Sequence, residues 1–284
     1  MTTFSNSQCY ELETIEYDKG IFPDVDATYI IHLRDNGRHE HIMDELAKTH
    51  PTNTVHLVVN TGFKTCEKRD LRVPSSVFDL IDAFLYVFHD AIQKNYQSVL
   101  ILEDDFIFDE KVGDHSPAVC EFLRSKKGEE YVYALGCLPF AMMPYNSTTY
   151  RGILTMGMHS VIYSRAWMEK VVHKRQDIDD WDLYHNLHIV KYVYYTPLCY
   201  QLFPATENKS NWGGENWLYR LGAMCIKAVI WLLSLETQIH PGYDIMYFLS
   251  KLFMVLVAIE ILVRYVPWRR HVIPWVQRNV QSVY

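Results

Sequence analysis

The stretch SVLILEDDFIF, Ser98 to Phe108, decides the fold. Val99-Leu-Ile-Leu102 is apolar without a break, the pattern of a strand buried on both faces of a sheet. Glu103, Asp104 and Asp105 follow at once. Three adjacent carboxylates repel one another, and their pKa values rise unless a cation neutralises them. A hard divalent ion removes that cost and is commonly shared with substrate phosphates. Side chains alternate along an extended segment, so Glu103 and Asp105 face one site while Asp104 faces the other side. The bland alternative is a polar turn after a strand.

The surrounding chain alternates strands and helices. Ala27–Leu33 reads as a strand, Arg38 to Thr49 as a helix stopped before Pro51, and Val55–Val59 as a second strand. Val77 to Asn95 carries apolar residues at helical spacing. A helix near Ala118–Leu123, a strand Tyr131–Leu135, a turn Gly136–Pro139, a strand Met158–Tyr163 and a helix from Ala166 complete the pattern. This alternation predicts an α/β fold with a largely parallel sheet. In such sheets ligands sit at the carboxyl ends of strands, where the three carboxylates stand. The first strand is not followed by GxGxxG, and GxxxxGK[ST] is absent, so dinucleotide and P-loop readings lose their main support.

Composition narrows the function classes. With 49% hydrophobic and 21% charged residues over 284 positions, the chain has ordinary globular usage. Its net charge of −7 is uneven: residues 217–284 hold seven Lys/Arg against three Asp/Glu, and the part before them is strongly acidic. An acidic body excludes a nucleic-acid binder. The six cysteines lack CxxC spacing, so neither a zinc site nor a disulfide framework is expected. The opening residues lack a basic and apolar leader, so no signal peptide is read and a reducing cytoplasmic compartment is expected.

SVLILEDDFIF resembles the Leu-Glu-Asp-Asp motif of glycosyltransferase family 25, the procollagen galactosyltransferase and lipooligosaccharide type. Further pieces are similar in the same order. TYIIHLRDNGRHEHI (28–42) resembles the family's first strand, and MGMHSVIYSRAWMEKVV (156–172) its Gly-x-His segment. IDDWDLYHNL (178–187) resembles its late Asp-containing segment, which ends in Pro-Leu-x-x-Gln at Gln201. The family's Gly-Cys-x-x-Ser-His segment is replaced by VFDLIDAF (77–84), as a divergent viral or bacterial relative would show.

The resemblance implies a GT-A (nucleotide-diphospho-sugar transferase) fold, a Rossmann-like mixed sheet flanked by helices, acting on a UDP-type sugar donor and a glycan acceptor with inversion. Mn²⁺ or Mg²⁺ is the implied cofactor, held by Glu103 and Asp105, with His159 a candidate third ligand or a plain core histidine. Ile31, His32, Arg34 and Arg38 fall where the family binds base and ribose, although Arg38 also reads as a solvated helix residue. Asp104 joins the donor-binding group as the carboxylate that braces a neighbour, and Asp82 as a helix residue reaching the sugar or a surface carboxylate. Asp180, with Asp182 second, aligns with the family's base, which takes the acceptor's proton. The same cluster also reads as an acidic N-cap. Trp181 is a candidate acceptor platform.

The expected organisation is an irregular lead-in at 1–26, a catalytic domain at 27–212 and a helical tail at 213–284. Trp217–Leu235 and Ile245–Val266 read as two apolar helices, the second interrupted by Lys251, Glu260 and Arg264. The tail either dimerises, packs on the body or touches membrane, and Pro267-Trp-Arg-Arg270 with Trp275 has an interfacial mixture. Two rival functions share these features: a metal-dependent nucleotidyltransferase, and a membrane-associated structural protein on a degenerate transferase body.

Overall fold

The structure, a computed structural model, describes residues 4–69, 71–203 and 217–265. The boundary expected at 212/213 and the Trp/Arg segment after Tyr265 lie outside the described residues. Nine strands and seven helices follow in order among those described. These are β1 (Tyr10–Glu16), β2 (Ala27–Leu33), α1 (His39–Lys48), β3 (Thr54–Asn60), α2 (Ser76–Gln93), β4 (Ser98–Glu103), β5 (Phe106–Phe108) and α3 (Val112–Ser125). The chain continues with β6 (Val132–Pro144), β7 (Thr149–Ser164), α4 (Arg165–Val171), α5 (Trp181–His188), β8 (Lys191–Tyr194), β9 (Cys199–Gln201), α6 (Trp217–Leu232) and α7 (Gly242–Tyr265).

Seven strands form one sheet in the order β1-β3-β2-β4-β7-β6-β8, and β5 pairs with β9 in a small ribbon. The sheet is mixed and flanked by helices, as the resemblance implies, and not largely parallel as the alternation of elements alone predicts. β3, β2 and β4 run parallel, whereas β1 and β7 join them antiparallel. Helix-period segments are readable in the sequence, but strand direction depends on which neighbours meet, and local pattern does not carry that.

β4 lies at the centre because its residues suit burial on both faces. Val99 and Ile101 pack into the apolar cluster on one side, Leu100 and Leu102 into that on the other. Each such side chain contributes about 1.5–3 kcal/mol on burial. α2 and α4 supply Phe84, Phe88 and Trp167 to the first cluster; α1 and α3 supply Ile42, Leu46 and Phe122 to the second. α2 begins at Ser75, whose side chain accepts from the Phe78 amide, and its apolar stripe is buried.

Three local expectations change. The lead-in is not irregular throughout: Tyr10–Glu16 forms an edge strand on β3, its outer face polar because it is solvated. Gly136–Pro139 is not a turn but the interior of β6, where register shifts absorb Pro139. Gly136 is required there, since a Cβ would lie 2.0 Å from the Cys199 carbonyl oxygen. Lastly, Cys9 and Cys66 form a disulfide, which the reading of a reducing compartment does not anticipate. Their 57-residue separation hides the pair from any spacing rule.

Candidate active site

β2 sends the chain one way to β3, while β4 lies on its other side, so strand order reverses between β2 and β4. A crevice opens at the carboxyl ends of strands at such a point. Glu103 ends β4 there, paired with Ile31.

The three carboxylates separate at the turn between β4 and β5, which Asp104 and Asp105 form. Asp104 turns into the protein, accepting from the Leu33 amide at 3.1 Å, Asn36 at 2.6 Å and Arg38 at 2.6 Å, with His32 at 3.1 Å. Burial alone would raise its pKa, but the His32 and Arg38 partners hold it below the ordinary range. Glu103 and Asp105 share the Gln201 side-chain amide at this end of the sheet, and both are half-buried. Burial raises Glu103 well above a normal carboxylate, and the charges of Asp105, Asp182 and Asp104 add to this. Asp105 is raised too, by burial and Asp104, although Arg38 at 3.0 Å and Gln201 oppose the shift.

Gln201 is the residue that sequence reasoning leaves without a role. β9 runs antiparallel to β5, with Gln201 opposite Phe106. Its Nε2 donates to Asp105 at 2.8 Å and lies 3.5 Å from Glu103. Tyr243 of α7 holds its backbone, donating to the Gln201 carbonyl at 2.9 Å and accepting from its amide at 3.1 Å. The Pro-Leu-x-x-Gln ending is visible in the sequence, but its pairing with β5 is long-range.

Asp182 closes the other side. Gly157, at φ +68°, turns its amide to donate to Asp182 at 2.9 Å. Burial first, then Asp180, raises the Asp182 pKa, against the Lys191 charge and the Gly157 and Met158 amides. Asp180 instead caps α5, accepting from the Leu183 amide at 2.8 Å. Capping uses the Asp180 side chain, while Asp182, on the first turn, reaches the Glu103 neighbourhood.

Other expected residues lie elsewhere. His159 is fully buried behind the crevice with Nε2 on the Cys199 carbonyl, and burial lowers its pKa to about 4. It does not join the carboxylates: among the described residues no three His, Cys, Asp or Glu side chains group closely enough to hold a metal ion. Asp82 is closed to any sugar, bound by Asn6, Tyr10 and Arg175. Arg34 pairs with Glu11 at 2.6 Å, and Ile31 is buried. Trp181 stacks on Phe84 with centroids 4.7 Å apart, so it offers no open face to an acceptor.

The donor set fits a hard divalent cation. Two carboxylates of raised pKa share a crevice, and Glu103 has only a long contact to an amide. Mg²⁺-type sites commonly take one or two carboxylates and complete their shell with waters and substrate phosphates. Two protein ligands therefore suffice, and His159 is not needed.

No family model matches the chain and no curated protein matches it, so the resemblance to family 25 rests on the quoted residues alone. Among solved structures, the chain is similar to mannose-1-phosphate geranyltransferase from Thermus thermophilus, at 11% identity and TM-score 0.39, covering 60% of this chain and 73% of that one. It is similar to A197 from STIV at 11% identity and TM-score 0.39, covering 64% and 87%. It is also similar to a glycosyltransferase involved in the glycosylation of the major capsid of PBCV-1, at 10% identity and TM-score 0.36, covering 60% and 83%.

Proposed function

We propose that the crevice is the active site of a GT-A glycosyltransferase that moves a sugar from a UDP-type donor to a hydroxyl of a glycan acceptor. The observation that carries this reading is the split of the carboxylate triplet. Asp104 is neutralised inside the protein, whereas Glu103 and Asp105 face the crevice with raised pKa values.

Glu103 and Asp105 would hold Mn²⁺ or Mg²⁺, which as a Lewis acid supports charge on a diphosphate leaving group. Gln201 orients Asp105 through a 2.8 Å hydrogen bond and lies beside Glu103. Arg38 lies beside Asp105 and offers positive charge to the donor phosphates. Ile31 and His32, near the end of β2, are buried, so their part in holding the donor is to support β2 and Asp104 rather than to touch base or ribose. Asp182 is the better candidate for the base, because its charge acts on Glu103 while the Asp180 side chain caps a helix. Its raised pKa lies nearer neutrality, as suits a group taking a proton from a hydroxyl.

The test is UDP release from a panel of UDP-sugars with Mn²⁺, with EDTA and in Asp105→Ala. Metal-dependent release that disappears in the variant supports the reading. Absence of release with every donor, together with absence of metal-dependent UDP binding, contradicts it.

A further inference from the structure

Most exposed large apolar side chains among the described residues sit on α6 and α7. α7 has two halves. Its first half packs on the body through Tyr243, Met246, Tyr247 and Ser250, all buried, at the i, i+3, i+4, i+7 spacing of one helix face. Lys251 ends this half, donating to the Tyr195 carbonyl at 2.6 Å and lying over the Tyr150 ring at 5.2 Å.

Beyond Lys251, as far as Arg264, the side chains are exposed except Met254 and Val257, which are half-buried. At 100° per residue, Phe253, Ile261, Leu262, Ile259 and Leu256 point at about 0, 80, 180, 240 and 300° around the axis. All five are at least half exposed. A second copy of the chain or another protein surface would cover a stripe, not every face. A helix that is apolar all round belongs in a core or in lipid. Its charges near the far end are paired, Glu260 with Arg264. The sequence from residue 217 onward is basic on an otherwise acidic chain, which complements anionic headgroups.

We infer that the outer half of α7 embeds in a lipid bilayer and anchors the protein to an anionic membrane surface. Leu252 to Val263 extends about 18 Å, against a hydrocarbon core of about 30 Å, so this segment enters one leaflet. α6 adds Trp217, Leu221, Met224 and Trp231, four exposed residues at helical spacing. The consequence reaches the crevice, because the first turn of the same helix holds Gln201 through Tyr243. The rise from Tyr243 to Lys251 is about 12 Å, so the anchor keeps the carboxylates near the headgroups.

Flotation of the full chain with phosphatidylcholine vesicles, with and without phosphatidylglycerol, tests this. The protein is expected to float with the anionic vesicles and to stay bound at about 1 M NaCl, where surface charge is screened. Phe253→Asp/Leu256→Asp/Ile259→Asp is expected to float at least tenfold less with the body's melting temperature unchanged. Wild-type protein that stays unbound, is released by salt, or forms a salt-stable dimer without floating would overturn the inference, whatever the variant does. Flotation does not depend on turnover, so its failure is distinct from failure of the transferase reading.

Discussion

Two groups of carboxylates, one on α2 and one at the end of β4, are treated by the chain in opposite ways. Asp79 and Asp82 of α2 are closed in with their own cations. Lys68 lies 2.6 Å from Asp79, Arg175 lies 2.7 Å from Asp82, and Tyr10 donates to Asp82 at 2.7 Å. Burial pulls the Lys68 pKa down although both aspartates oppose it, so this cluster is a costly internal assembly held by ion pairs to both aspartates. Glu103 and Asp105 have one guanidinium and one amide between them, and they open to the crevice. Equal residue types thus serve two ends. Carboxylates matched inside the protein lock the amino-terminal segment to α2, while the proposed function gives the carboxylates left short of positive charge a cation from outside.

That contrast sets the expected size of four perturbations. Asp82→Ala breaks the Arg175 ion pair in a buried site, while Lys68 keeps Asp79, and should cost about 3–5 kcal/mol in denaturant unfolding; a loss below about 1 kcal/mol would break the distinction. Cys66→Ser opens the bridge that ties β1 to the segment carrying Lys68. Loop-closure entropy puts its cost at up to about 4 kcal/mol, read by the same unfolding curves. The third perturbation is pH. Glu103 has a folded pKa raised to about 8, so the native state binds the proton more tightly than the unfolded chain. Stability of the cation-free protein is therefore full below the ordinary carboxylate range and falls as pH rises towards 8. The slope is up to about 1.4 kcal/mol per pH unit for each such group. Mn²⁺ or Glu103→Gln should flatten it, and thermal melts across this range check the point. The smallest effect is Asp180→Ala, which removes a helix cap worth about 1 kcal/mol. Its kcat should stay near wild type, whereas Asp182→Asn should lower kcat with little change in KM.

What the sequence reveals follows the same division between local and distant information. β4 and its carboxylates are legible because an unbroken apolar run followed by acids is a local signal. Asp104 does separate from its neighbours, but at a turn rather than along an extended strand, and its partners Asn36 and Arg38 follow the end of β2. β1 is hidden because its three glutamates mask the alternation of Tyr10, Leu12 and Thr14. Asp82 reads as an ordinary helix carboxylate, since nothing near it in sequence tells that Asn6, Tyr10 and Arg175 close over it. Gln201 depends on β9 meeting β5, and the disulfide on two cysteines far apart. Asp180 and Asp182 differ by only two positions, and N-cap chemistry separates them once the first residue of α5 is known.

The most direct measurement is calorimetric titration of UDP into the wild type and into Asp105→Asn, each with Mn²⁺ and with EDTA. The account predicts UDP binding that requires Mn²⁺ in the wild type and is lost in the variant while the fold melts normally. UDP binding that is equal with EDTA, or unchanged in Asp105→Asn, would contradict a cation held at the end of β4.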